Sequence, residues 1–167
     1  MSLAVLVPAA LAASLSIDAV DYLASRPSAA TLVARGATGE LRGAGFRVLD
    51  SWTAAAGSAA GDAYGVPDGA ALVSVTVELD PTAASGDFMC RVQLLEADRH
   101  RRWSPSFGGT DYVPGAGLPD DVPGGCALHD RAYPFEEVFL VPLDAQGRVV
   151  LEVIDPAGLP RVLHLEL

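Results

Sequence analysis

The stretch 71–79, ALVSVTVEL, decides the fold. Ala71, Val73, Val75, Val77 and Leu79 alternate with Leu72, Ser74, Thr76 and Glu78, the period of two that a half-buried strand requires. Working outward, the alternation recurs. CRVQLLEA (90–97) sets Cys90, Val92 and Leu94 against Arg91 and Gln93, and RVVLEVI (148–154) sets Val149, Leu151 and Val153 against Arg148 and Glu152. RVLHLEL (161–167) places Leu163, Leu165 and Leu167 on one face. Further strands are expected at GFRVLDSW (45–52), RRWS (101–104) and EEVFLVP (136–142). Asp, Gly or Pro stand where the chain must reverse, in DRHR after Ala97, DAQG (144–147) and DPAGLP (155–160). About seven short strands, with no helix beyond the N-terminal segment, predict an all-β antiparallel sandwich, with a closed barrel as the rival. No repeat of solenoid or propeller length is visible.

A chain of 167 residues is one ordinary domain with a short appendage, read as residues 1–26 and 27–167. The net charge of −10 and pI near 4.5 repel phosphate backbones and anionic headgroups, which argues against nucleic-acid binding. Every one of the 11 basic residues is Arg, the composition of a GC-rich bacterial genome.

Residues 4–17, AVLVPAALAASLSI, carry no charge. A helix of about 15 residues spans roughly 22 Å, short of the ~30 Å bilayer core. A secretory signal needs basic residues ahead of the apolar run, and only Met1 and Ser2 precede it. MSL reads as an engineered start that cuts into a longer apolar segment, so the expectation is a truncated membrane anchor. Asp18, Asp21 and Arg26 follow without the Lys/Arg excess of a cytoplasmic flank, which turns the domain outward. The bland alternative is a core helix, with Pro8 tolerated in its first turn.

The chain has two cysteines, Cys90 at the start of a strand and Cys126 in PGGCALHD. In an exported domain they pair, anchoring a loop that otherwise has no tether; in a cytosolic one they are two inert thiols. Neither has a second Cys or His at zinc spacing, so no metal site is expected.

The order of LVSVTVEL, then CRVQLLEADRHRRWSPS with a polar turn before an aromatic, then a Cys-bearing loop, then FEEVFLVPLDAQGRVVLEV is distinctive. Over about residues 40–167 it resembles the Ig-like extracytoplasmic domains of bacterial lipoproteins and single-pass membrane proteins of actinobacterial type. That resemblance implies an Ig-like β-sandwich preceded by an apolar helix, acting as an interaction or structural module. It brings no catalytic residues. The lipid-accepting cysteine of the lipoproteins does not follow the apolar run here.

Reactive constellations are scarce. His100, His129 and His164 fall in a turn, a loop and an outward strand position, with no His-x-x-x-His pair. No serine sits in G-x-S-x-G. RGATGELRGAG and AAGSAAG lack the lysine of a phosphate loop and read as a flexible lead-in and a connector. Glu136 and Glu137 are adjacent on a strand and point to opposite faces, which disqualifies them as a catalytic pair. Residues 105–134 form about 30 residues without convincing strands, a length that is uncommon unless functional, tethered or disordered. The candidate binding surface is therefore Trp103, at its base, with Phe107, Asp111, Tyr112, Asp120 and Asp121. The bland reading is a stapled loop whose aromatics cover the sheet. A calcium site from Asp111, Asp120, Asp121 and Asp130 lacks the D-x-D-x-D-G spacing.

These observations lead to one expectation: a non-catalytic, extracytoplasmic module, membrane-anchored or secreted, with an envelope protein as partner and no cofactor. The rivals are an exported hydrolase or metal-dependent enzyme using loop carboxylates with His129, and a subunit of an envelope complex.

Overall fold

The computed structural model describes residues 25–116, 118, 125–145 and 147–167. The expected apolar helix and anchor of residues 1–26 fall almost wholly outside the described residues, as do Asp120 and Asp121 of the candidate surface.

Among the described residues nine strands form two sheets. They are β1 (Ala29–Val33), β2 (Gly39–Leu41), β3 (Ala44–Ala55), β4 (Ala70–Asp80), β5 (Arg91–Glu96), β6 (Arg101–Trp103), β7 (Tyr133–Pro142), β8 (Val150–Ile154) and β9 (Arg161–Glu166). One sheet runs β1-β9-β8-β5-β6 and the other β2-β3-β4-β7. In chain order β3, β4 and β7 take the A, B and E places of an immunoglobulin sandwich, while β5, β6, β8 and β9 take C, C′, F and G. The all-β sandwich expected from the alternation is therefore the fold, with the Ig-like arrangement that the resemblance implied.

Alternation decides which side of each strand enters the core. Val73, Val75, Val77 and Leu79 of β4 meet Leu94 of β5, Leu151 and Val153 of β8, and Leu163 and Leu165 of β9 between the sheets. Phe46, Phe135 and Phe139 fill the middle, fully buried. Aromatic rings of this size remove the most apolar area per residue from water, so they dominate the core energetically.

The structure corrects five details. Two strands precede the expected seven. RGATGELRGAG is not a flexible lead-in but carries β2 and the tight turn into β3, where Arg42 and Gly43 both have positive φ (49° and 85°). A Cβ on Gly43 would stand 2.1 Å from the Ala83 carbonyl oxygen, so only glycine fits there. The sandwich is not wholly antiparallel, because β1 pairs with β9 in parallel. AAGSAAG contributes a short helix, α1 (Ala59–Ala63), whose N-cap Ser58 accepts from the Gly61 amide at 3.0 Å. Finally, β7 begins at Tyr133, shortening the strandless stretch.

Cys90, just before β5, and Cys126, in the β6–β7 connection, form a disulfide with Cα atoms 5.6 Å apart. It fastens the long connection to the rim of the core.

Candidate functional site

The strand β3 carries a bulge between Val48 and Asp50. An extra residue reverses the facing of everything beyond it, so Phe46 and Val48 point into the core while Trp52 and Ala54 point out. Trp52 and Ala54 join Leu72 of β4 and Val138 and Leu140 of β7 in an apolar patch on the outer face of the four-stranded sheet. Two aromatics cap it. Tyr64 follows α1, and Tyr112 arrives from the β6–β7 connection; the rings of Trp52, Tyr64 and Tyr112 lie 5.0–5.5 Å apart, two of the three contacts edge-on.

Polar bonds hold the connection down. The Ser106 amide donates to the Val138 carbonyl at 2.8 Å, and the Asp111 amide donates to the Tyr64 carbonyl at 2.7 Å. Glu136, outward on β7, is the anchor: its Oε1 accepts from the Tyr112 hydroxyl at 2.7 Å and from the Ser74 hydroxyl, and its Oε2 accepts from the Gly115 amide at 2.5 Å. Burial, followed by the neighbouring Glu136 carboxylate, pushes the Tyr112 phenol well above its ordinary value, so it stays a donor. With Tyr112 pinned inward, Phe107 and Val113 are left 53% and 68% exposed.

The predicted surface is thus divided. Tyr112 packs on the outer face of the four-stranded sheet with Asp111 beside it, while exposed Phe107 follows Ser106, whose amide bonds β7 at Val138. Trp103 does not lie beneath them: it sits on β6 of the opposite sheet, at the rim of the core, with the Arg101 guanidinium 5.3 Å from its ring centroid. The physical reason is that the chain crosses from one sheet to the other immediately after Trp103. Further along, the Tyr133 hydroxyl accepts from the Ala127 amide at 2.7 Å and lies the same distance from the Ala127 carbonyl. His129 meets its neighbour Asp130, Nδ1 to Oδ1 at 2.7 Å. Among the described residues no three His, Cys, Asp or Glu side chains converge as a metal site would need.

Glu137 behaves as the alternation demands, opposite to Glu136. It takes its place between Phe135 and Phe139 on the core-facing side, and burial raises its carboxyl above the usual range.

The outer face of the five-stranded sheet carries a second polar group that the sequence did not disclose. Glu152 on β8 is 1% exposed. It accepts from Gln93 Nε2 at 2.6 Å and Arg102 Nε at 2.9 Å on Oε1, while His164 Nε2 lies 2.9 Å from Oε2. His164 is therefore an engaged, half-buried side chain rather than a free surface histidine. The signal was the register: Gln93, Glu152 and His164 are cross-strand neighbours on β5, β8 and β9, and only pairing reveals that. Burial works to raise the Glu152 carboxyl, but the bonds from Arg102, His164 and Gln93 outweigh it and hold it below the usual range.

Comparison with known proteins adds little. No family model matches the chain, and no curated protein matches it. Among solved structures the chain is similar to an uncharacterised β-sandwich protein from Clostridium difficile 630, at 10% identity and a TM-score of 0.43, covering 81% of this chain and 94% of that one.

Proposed function

We propose that the chain is a non-catalytic interaction module working on the extracytoplasmic side of the cell membrane, membrane-anchored or secreted, with the pinned connection as its binding surface and an envelope protein as its partner. The observation that carries this reading is a single construction. The Glu136 anchor holds the Tyr112–Gly115 part of a long connection to the four-stranded sheet and a disulfide ties Cys126 to the start of β5, while Phe107 and Val113 are turned to solvent beside Asp111. Ordered apolar side chains on a fixed backbone lose little entropy when a partner covers them, which is what a recognition loop on a rigid scaffold requires. The disulfide supports the location, since such bonds persist in oxidising compartments.

Two measurements test it. Alkylating thiols in intact bacteria before lysis is expected to leave Cys90 and Cys126 unlabelled until reductant is added; free thiols in the cytosolic fraction would remove the location. A photo-crosslinking residue placed at Phe107 is expected to trap an envelope protein, and the adduct is expected to fall at least fivefold in Val113→Asp, about 1 kcal/mol. Equal trapping from exposed Asp68, on the far side of α1 in the chain, would remove the surface.

A further inference from the structure

β2 covers β3 only at residues 44–46, so from the bulge to Ala55 the outer side of β3 has no strand beside it among the described residues. Ladder parity says which backbone groups face that open side. The Ala56 amide donates to the Ala70 carbonyl, which makes them a hydrogen-bonded pair, and such pairs recur at every second residue of an antiparallel ladder. Asp50, Trp52 and Ala54 therefore bond β4, while Ser51, Thr53 and Ala55 turn their amides and carbonyls outward. Ser58 takes the Ala55 carbonyl through its amide and its hydroxyl. The amides and carbonyls of Ser51 and Thr53 are left unmatched among the described residues.

The other long edge of this sheet is guarded. The Leu143 amide donates to the Gly69 carbonyl, so β7 bonds β4 through its odd-numbered residues and turns Pro134, Glu136, Val138, Leu140 and Pro142 outward. Prolines, which have no N–H to offer, stand at both ends of that row, and Ser106 occupies the Val138 carbonyl. The open stretch of β3, SWTAA (51–55), has neither a proline nor a charge. It also stands over an empty space. Beyond the bulge Ser51 and Thr53 lie opposite Val75 and Val73 and so share the side that faces the other sheet. A cavity of about 160 Å3 opens beneath them, walled by Val73, Val149 and Leu167. A void of about 150 Å3 takes a benzene-sized group, so this one fits a valine or leucine side chain.

A strand laid against β3 meets both features at once. Its backbone bonds Ser51 and Thr53, and one inward side chain enters the cavity, so the main chain supplies affinity and the pocket supplies selection. A second copy of this chain suits the place poorly, since two bodies of net charge −10 repel. Exposed Asp50 and Asp62 stand at the two ends of the stretch, Asp62 on α1 beside Gly61, which packs on Ala55. The pairing of Asp50 with Arg35 spans 3.9 Å between two exposed side chains and neutralises little. We infer that the open edge of β3 binds an extended segment of another protein, with a valine- or leucine-sized residue for the cavity and a basic residue on either side. Phe107 and Val113 take no part in it, so failure of this inference or of the proposed partner surface leaves the other standing.

The test uses the purified chain with its disulfide intact and a synthetic heptapeptide of alternating valine and threonine with an arginine at each end. Amide hydrogen exchange read by NMR is expected to slow at least tenfold at Ser51 and Thr53 when the peptide saturates, with Leu140 on the β7 edge unchanged. Thr53→Pro deletes an outward amide without touching the ladder to β4, and Val149→Phe fills the cavity. Each is expected to weaken binding at least tenfold, and a peptide with aspartate in place of valine is expected not to bind. Circular dichroism checks that each variant folds. Unchanged exchange at Ser51 and Thr53 under millimolar peptide, equal binding by either folded variant, or self-association of the chain through this edge in sedimentation would overturn the assignment.

Discussion

Two carboxylates on different sheets, Glu152 on β8 and Glu137 on β7, illustrate how much a single residue's surroundings decide. Glu152 is ionised and fully partnered by Gln93, Arg102 and His164, whereas Glu137 stands in an apolar row with burial acting on it alone. Their linkage signs are opposite. The folded Glu152 carboxyl lies below its unfolded value, so its contribution is present at neutral pH and is lost as pH falls through the carboxylate range. The folded Glu137 carboxyl lies above its unfolded value, so its contribution is present only in acid and is lost as pH rises through its raised value. Glu152→Gln is accordingly expected to lower stability by about 2 kcal/mol at pH 7, with the loss shrinking towards pH 3. Glu137→Gln is expected to raise stability at pH 7 and to change little at pH 3. Urea unfolding at the two pH values checks both, and a Glu152→Gln penalty that did not shrink in acid would contradict the charge argument.

Among the elements, the connection between β6 and β7 depends on one side chain of the strand it covers. Glu136 takes three hydrogen bonds, two of them from Tyr112 and Gly115. Glu136→Ala leaves the Tyr112 hydroxyl and the Gly115 amide without their acceptor, while the aromatic stack on Trp52 and Tyr64 remains. The expected outcome is local: hydrogen exchange at the Asp111 and Gly115 amides quickens at least tenfold, with the core strands β4 and β8 unaffected. Exchange that rose equally in β4 would mean that Glu136 supports the sheet rather than the loop. The short helix α1 is tied in similarly, because Gly61 packs so closely that a Cβ there would fall 2.0 Å from the Ala55 carbonyl oxygen. Gly61→Ala therefore forces α1 away from β3 and is expected to cost about 2 kcal/mol in chemical denaturation, as overpacking does.

For the molecule as a whole, the sandwich and its single cross-link act on different states. The core lowers the free energy of the folded chain, while a bond closing 36 residues mainly restricts the unfolded one. Replacing Cys90 and Cys126 together by Ala is expected to reduce stability by about 4 kcal/mol with the fold retained, read from the denaturation midpoint and the circular-dichroism spectrum. Loss of strand signal instead would show that the bond is needed to form the sandwich at all. Ion pairs complete the closure at the ends. Fully buried Asp155 accepts from Arg42 at 2.6 Å, and Arg42 also reaches Asp87 at 2.7 Å, joining the β2–β3 turn to the segment between β8 and β9.

The sequence by itself determined the strands whose alternation is strong, β4, β5, β8 and β9, together with the sandwich class and the opposite facing of Glu136 and Glu137. These are local properties, since a period of two is written in neighbouring residues. Two cysteines already suggested a tether for the connection. The tertiary structure alone decided the rest. AATLV and GEL have too little apolar contrast to read as strands, and they become so by pairing, β1 in parallel with β9 and β2 across a left-handed turn. A one-residue bulge in β3 turned Trp52 outward to receive Tyr112, and the crossing between sheets separated Trp103 from Phe107. Cross-strand register gathered Gln93, Glu152 and His164 from three strands. Alternation fixes which face a residue takes, but only pairing fixes its neighbours on that face.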